Sequence, residues 1–264
     1  MRVTGLPTAA QSAYSHLHNT GGRAVIALPR GRRRPVDDER FTCVDGDRLD
    51  TATAYRLLVG CVVPRPVAWI TTIDEAGRVN AAPFSSYNYV ATSPPMLAIN
   101  IAARASDGAI KDTARNIMAT REFVVNVATE SSLEVMHRSA AEYPPGVSET
   151  DALDIALLKS RHVRVPRIAQ SPVQMECRLD QAVVLGTGVN TLYIGEVVAF
   201  HLSSEVYDGS RVDSDSMRPI ARLGGPYYAG LGEIFLRPML QKPPGAEGWA
   251  PPAGATDASR GRDR

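Results

Sequence analysis

The chain has 264 residues, 44% of them hydrophobic and 22% charged, enough apolar content to bury a core and too much for wholesale disorder. Its 29 basic and 28 acidic residues leave a formal net charge of +1, which removes the long-range attraction that a nucleic-acid binder uses. No stretch approaches the roughly 20 apolar residues of a membrane-spanning helix, so the expectation is a soluble protein that engages neither nucleic acid nor membrane.

Residues 1–49 read as a flexible arm. From Met1 to Pro35 there are six arginines and no acid, ending on Arg30-Gly31-Arg32-Arg33-Arg34-Pro35. An acid-free, arginine-bearing start is a feature of transit peptides, but no amphipathic stripe runs through it and no secretory apolar core is present. The ordered body is expected over 50–238, followed by a disordered, Pro- and Gly-rich tail over 239–264. Cys43, Cys61 and Cys177 are odd in number, widely spaced and without a C-x-x-C pair. That pattern excludes a disulfide scaffold or structural zinc and suits a reducing, cytoplasmic compartment.

Within the body, short β-type runs dominate. Val67 to Ile73 is β-branched and aromatic and is closed by the turn chemistry of Asp74-Glu75-Ala76-Gly77-Arg78. Further strands are predicted over Asn80 to Ser85, Met96 to Ile101 and Phe123 to Val127. Two longer runs, Val173 to Leu185 and Thr191 to Leu202, are joined by Gly186-Thr187-Gly188-Val189-Asn190 and predict a hairpin. Ile110, Ala114, Ile117 and Met118 recur at helical spacing, which predicts a helix over Ile110 to Thr120 with Asp112 or Thr113 as N-cap. A second helix is predicted over Ser131 to Ala141, capped by Ser131 or Ser132. Many short strands with few helices predict a mainly β fold, a barrel with helical insertions.

Several familiar patterns fail on their context. Gly186 to Thr191 is close to G-x-G-x-x-G, but a β-run follows where the dinucleotide fingerprint needs a helix. Gly224-Gly225-Pro226 and Gly230-Leu231-Gly232 lack the spacing and the lysine of a P-loop. The five histidines form no H-x-x-x-H pair, so no metal site is expected. No G-x-S-x-G elbow exists for a hydrolase nucleophile.

Three blocks carry chemistry. Pro64-Arg65-Pro66-Val67-Ala68-Trp69-Ile70-Thr71-Thr72 holds its approach extended before a strand. Asn80-Ala81-Ala82-Pro83-Phe84-Ser85-Ser86-Tyr87-Asn88 breaks its ladder at Pro83 and gathers hydroxyl and amide groups beyond it, suited to a ribityl chain or a phosphate. Lys111-Asp112-Thr113-Ala114-Arg115-Asn116-Ile117 opens a helix whose unpaired N–H groups and dipole favour phosphate. Lys111, one of only three lysines, adds a cation there, and Arg115 one turn in is placed to pair with the same anion.

Together these blocks resemble the FMN-binding split-barrel flavoproteins, in the flavin reductase-like and flavoredoxin-like branch. That family's running pattern is close to R-P-x-A-W-[IV]-[ST]-T, N-x-A-P-[FY]-S-x-[FY]-N, P-P-x, K-D-T-x-x-N-I and E-F-V-V-N. Here it is carried in order by Arg65 to Thr72, Asn80 to Asn88, Pro94 to Met96, Lys111 to Ile117 and Glu122 to Asn126. Arg222 to Tyr228 is similar to the family's R-[LM]-G-G-x-x-Y element. The resemblance implies a split β-barrel, α+β in class, that binds FMN (or FAD) and takes its electrons from NAD(P)H. It implies that Ala68, Trp69, Ile70 and Thr71 line the flavin together with Ala82, Phe84, Ser85, Ser86, Tyr87 and Asn88. Lys111, Asp112 and Thr113 would hold the phosphate, with Asn116 supporting the turn. Arg222 and Tyr228 would sit near the isoalloxazine as candidate catalytic residues. Members form homodimers with flavin at the subunit interface, and a reductase of this kind supplies a monooxygenase partner. Alternative readings are a flavoredoxin-like electron carrier and an FMN-dependent tailoring oxidoreductase. One departure stands out: Arg121 occupies the place of a usual glycine, which implies a different loop path before Glu122.

Overall fold

The structure, a computed structural model, describes residues 41–144 and 146–237. The arm up to residue 40 and the tail over 239–264 lie outside the described residues. The chain divides into two units, Met1–Leu49 and Asp50–Arg264. In the first, the described residues 41–49 carry one 3-10 turn, Gly46–Arg48.

The second unit opens with α1 (Thr51–Cys61), an element the periodicity did not predict. Asp50 starts it: its carboxylate accepts the Thr53 N–H at 2.8 Å and the Thr53 hydroxyl at 2.9 Å. None of its residues is buried, which is why no apolar stripe announced it. Then follow β1 (Arg65–Pro66), β2 (Ala68–Ile73), β3 (Val79–Phe84), β4 (Tyr87–Thr92) and β5 (Pro95–Ala102). Next come α2 (Asp112–Thr120), β6 (Glu122–Val127), α3 (Leu133–Arg138) and α4 (Glu149–Ala152). The chain ends with β7 (Leu157–Leu158), β8 (Arg167–Ile168), β9 (Val173–Leu185), β10 (Asn190–Leu202), α5 (Ser214–Met217), β11 (Ala221–Arg222) and β12 (Tyr228–Ala229).

Seven strands pair antiparallel in the order β3-β2-β6-β9-β10-β5-β4. A flat sheet of that width would hold its edges about 29 Å apart, at about 4.8 Å per strand. The two edge strands, however, are joined by Ser85 and Ser86 alone, and that link reaches only about 11 Å. The sheet must therefore curl until its edges approach, yet β3 and β4 do not pair. The result is a barrel split along one seam.

The barrel interior is filled by Ala68, Ile70, Ile99, Phe123, Val125 and Cys177, among others, and α2 lays Ala114 and Ile117 into it. Phe123 also explains Gly195 on β10: a Cβ there would stand 2.5 Å from the phenyl ring. Two side-chain amides pin α2 to the sheet. Asn80 Nδ2 donates to Thr113 Oγ1 at 2.9 Å and Asn116 Nδ2 to Thr72 Oγ1 at 3.1 Å.

The outer face of β2 is covered as well. Trp69 joins Val67, Met136 and Ile168 in a second apolar cluster and donates its indole N–H to Ser139 Oγ at 3.0 Å. The Thr71 hydroxyl donates to Pro166 O at 2.7 Å. The open edge of β3 is satisfied by side chains: Ser148 Oγ donates to Val79 O at 2.7 Å, and Glu149 Oε2 accepts the Ala81 N–H at 3.0 Å.

The loop ahead of β8 hangs on Glu176, which has no exposed surface. Its carboxylate accepts the N–H groups of Arg161, His162 and Val163 at 2.7, 2.6 and 3.1 Å, and meets His201 Nε2 at 2.5 Å. Burial pushes its pKa up, but these hydrogen bonds outweigh burial and hold it below the ordinary carboxylate value.

The long hairpin falls where the pattern predicts it, over β9 and β10, with Gly186 and Gly188 at φ of 56° and 92° in the connection. Three local expectations need correction. Helix α2 has Lys111, in extended conformation, as its N-cap residue, with no side-chain cap, rather than Asp112 or Thr113. The helix predicted over Ser131 to Ala141 is a 3-10 turn, Glu130–Ser132, followed by the short α3. Its opening is organised by Thr129, whose N–H bonds Ser132 Oγ at 2.9 Å, so Ser132 is spent on the turn. Arg121 does not divert its loop. It ends α2 in the left-handed conformation a glycine would take, φ 61° and ψ 17°, and its Nη2 reaches Leu179 O at 2.9 Å.

Candidate functional site

A cavity of about 470 Å³ opens beside the seam of the barrel, a size in the range of small-molecule sites. Its floor is the β3 end and the seam turn, Ala82 to Ser86. Lys111, Asp112 and Thr113 at the start of α2 form one wall. The small sheet β1-β11-β12 and the segment 139–143 form the others. The two polar stretches that the sequence marks for a phosphate-bearing ligand, some 25 residues apart, thus share one hollow.

The start of α2 is open towards this hollow. With no side-chain cap, its first-turn N–H groups keep the hydrogen-bonding capacity that every helix start has. Among the described residues the Lys111 ammonium has no carboxylate partner, and it lies 5.7 Å from the centroid of the Phe84 ring. Asp112 forms an ion pair with Arg115. Arg115 is therefore not directed at the cavity, contrary to the role its place one turn into the helix suggested.

Opposite lies a row of three cross-strand neighbours, Arg65, Arg222 and Tyr228, brought side by side by the register Arg65↔Arg222 and Arg222↔Tyr228. Arg65 is buried without any carboxylate. Its guanidinium donates to Val59 O and Val62 O, both at 2.7 Å, to Leu223 O at 3.1 Å and to Ser85 Oγ at 3.4 Å. It thereby ties the end of α1 and the loop after β11 to the seam turn. Arg222 stacks 4.4 Å over the Tyr228 ring and donates to Gly225 O at 2.8 Å. Adjacent cations held by neutral groups leave this side of the cavity with a surplus of positive charge, suited to an anionic ligand.

Glu149 also reaches the cavity. Burial raises its pKa, and the charge of Asp112 adds to the rise, against the pull of the Ala81 N–H. A raised folded value means that the ionised form opposes folding, so this part of the stability is present at acid pH and lost as pH climbs through the folded value. Glu149→Gln keeps an acceptor for Ala81 and cannot ionise. The variant is expected to melt above the wild type at pH 7, with the advantage fading below about 4.5. Thermal unfolding across that pH range checks this.

Ala82, Phe84, Ser85, Ser86, Lys111, Asp112, Thr113, Arg222 and Tyr228 all line the cavity. Ala68, Trp69, Ile70 and Thr71 do not: each has no exposed surface, because β2 is flanked by β3 and β6 and covered on both faces. Asn116 is spent on Thr72. Tyr87 packs against the barrel core and Asn88 bonds the Tyr89 N–H at 2.9 Å, so both stand on β4 outside the cavity lining. Sequence reasoning did not assign Asn80, Arg104, Glu149 or the segment 139–143, which lie in different elements and share no local pattern. Arg65 was legible in its motif but not as a wall of the site.

The flavin reductase like domain, as a family model, matches residues 59–219. The chain belongs to that family. This flavin reductase-like chain is 41% identical over 195 residues to the uncharacterized protein YwrF of Bacillus subtilis, across 72% of this chain and 94% of that one. Among solved structures, nitrilotriacetate monooxygenase component B from Bacillus cereus is 34% identical with a TM-score of 0.72, covering 75% of this chain and 98% of its own. The 2-nitrobenzoate 2-nitroreductase NbaA of Pseudomonas fluorescens is 31% identical with a TM-score of 0.70, covering 78% and 100%. Membership and these oxidoreductase neighbours make the chain a flavin-dependent oxidoreductase of the split-barrel type. No described helix is long and apolar enough to cross a membrane.

Proposed function

We propose that this chain is an NAD(P)H:flavin oxidoreductase that binds FMN in the seam cavity, with the phosphate at the start of α2. The observation that carries the reading is the shared hollow between Ser85-Ser86 and the uncapped, lysine-flanked start of α2. Helix N–H groups and a lysine without a carboxylate partner are a donor set matched to a phosphate dianion. FMN when bound supplies hydride acceptance from a nicotinamide donor and its onward delivery. The protein's part is to hold and orient: Lys111 and the α2 start grip the anionic end, Ser85 and Ser86 offer hydroxyls along the seam, and Arg222 with Arg65 supply positive charge opposite. The donor would enter through the open mouth, since among the described residues no dinucleotide-binding unit accompanies the barrel.

The chain would act in the cytoplasm as a homodimer and pass reduced flavin to a monooxygenase. Likeness to a monooxygenase component B supports that partner. Exposed apolar residues, Leu58 on α1, Val90 on β4 and Phe200 on β10, support association with a second copy. A second reading, direct reduction of a small aromatic substrate on retained flavin, is supported by the likeness to a nitroreductase. Anaerobic mixing of FMN-loaded protein with NADH and with NADPH tests the oxidoreductase reading: the yellow absorbance is expected to bleach with at least one donor, and failure with both overturns it. Flavin lost on dialysis favours the supplier of reduced flavin; flavin retained favours the second reading.

A further inference from the structure

The side of the cavity away from α2 ends on a pair of groups that no step above uses. Tyr228 lines the cavity, and His137 Nδ1 lies 3.2 Å from the Tyr228 hydroxyl. The two rings meet edge to face, at 84° with centroids 5.8 Å apart. His137 sits in the last turn of α3 and is exposed to solvent, while Tyr228 is half-buried against the cluster that holds Val135 and Leu133. A tyrosine that lines the site thus touches an imidazole facing water.

We infer that His137 and Tyr228 form a proton relay from bulk water into the seam cavity. The inference rests on the oxidoreductase reading and adds to it the route of the proton. A two-electron reduction to a neutral product takes a hydride from the nicotinamide donor, which carries both electrons, and one further proton from water. With ligands filling the cavity, a relay at its rim supplies that proton without a water molecule having to enter beside them. In the relay the Tyr228 Oη–H bond breaks as that proton passes to the acceptor. The His137 Nδ1–H bond then breaks as its proton passes to Tyr228 Oη and restores the phenol, while the solvent-facing Nε2 takes up a proton from the bulk solvent, so that the imidazole stays neutral as its other tautomer. Nothing in the relay itself is oxidised or reduced. With Nδ1 unprotonated the same contact runs the other way, the Tyr228 hydroxyl donating to Nδ1, so one hydrogen bond serves both stages.

The surrounding charges suit this assignment. The Arg222 guanidinium, 4.4 Å over the Tyr228 ring, stabilises the tyrosinate formed in passing. On α3 itself Glu134 precedes His137 by one turn and Arg138 follows it. Glu130, before α3, is tied to Arg218 at 2.8 and 3.1 Å and is not free to compete.

Two measurements on the full chain test the relay. In the flavin-free protein, the His137 Nδ1 chemical shift is followed by NMR in wild type and Tyr228→Phe, with His137→Gln assigning the signal. A changed Nδ1 shift in Tyr228→Phe is expected, and an unmoved one overturns the contact. In the FMN-loaded protein, His137→Gln is expected to slow turnover about tenfold, a modest share of what general acid catalysis contributes. FMN affinity should stay within about twofold, the pH profile should flatten, and added imidazole should restore the rate. An unchanged rate and pH profile overturns the relay. If the wild type bleaches with neither donor, the oxidoreductase reading falls, and the Nδ1 shift alone decides whether the two groups share a hydrogen bond.

Discussion

Lys111→Ala is expected to raise the dissociation constant for FMN about 10- to 100-fold. A hydrogen bond to a charged group contributes about 1.5–3 kcal/mol, and that contact is what the variant loses. Lys111 is well placed for the test because little else depends on it. It is the N-cap residue of α2, but its side chain makes no capping hydrogen bond and lies 5.7 Å from the centroid of the Phe84 ring, an interaction of about 0.5–1 kcal/mol when exposed. The variant should therefore fold with near wild-type stability and still fail to hold flavin. Thr113 offers no such separation, since its hydroxyl accepts from Asn80 and helps seat the helix. Binding to wild type should also weaken as salt is raised, and Lys111→Ala should flatten that dependence. Equilibrium titration of flavin fluorescence at two ionic strengths measures both effects. Undiminished affinity in Lys111→Ala would take the phosphate away from the start of α2.

The largest effect on stability is expected at Glu176, which stands far from the cavity in function. Glu176→Ala strips three backbone N–H groups of their acceptor and leaves His201 unpaired, all around a position with no exposed surface. Removing one member of a buried charged network costs about 3–5 kcal/mol, a large part of the ~5–15 kcal/mol that holds a domain together. Urea denaturation at pH 7 should show this loss. The pH dependence has a definite sign. Because the folded carboxyl titrates below its ordinary value, its contribution is present above about 4.5 and is lost as pH falls through the folded value. The gap between wild type and variant should therefore narrow in acid. A constant gap would mean that the charge of Glu176 is irrelevant to the fold.

Much of the candidate site was legible because its chemistry is local. Lys111, Asp112 and Thr113 are consecutive, and so are Ser85 and Ser86, so a short stretch already shows a helix start and a polar bend. The strand Ala68 to Thr71 shows the opposite case. It sits in a motif beside the site, but alternation along one strand cannot tell a face turned to a ligand from a face covered by distant segments. Here the cover is Ser139, Pro166 and Met136, none of which is near β2 in the chain. Helix α1 was invisible to periodicity because it buries nothing, and Arg121 imitates a glycine at some conformational cost, which composition cannot reveal.

The amino-acid order by itself determined the antiparallel hairpin, the strand runs of β3, β5 and β6, the helix of α2 and the two polar stretches, all written in propensities and spacings a few residues long. Tertiary structure alone decided that β3 and β4 meet unpaired, that Arg65, Arg222 and Tyr228 stand in one row, that Glu149 reaches the site from elsewhere, and that His137 meets Tyr228 at its rim. Those outcomes depend on which strands pair and how far the sheet curls. Both are settled by burial and a two-residue link acting across the whole chain, not by any local preference.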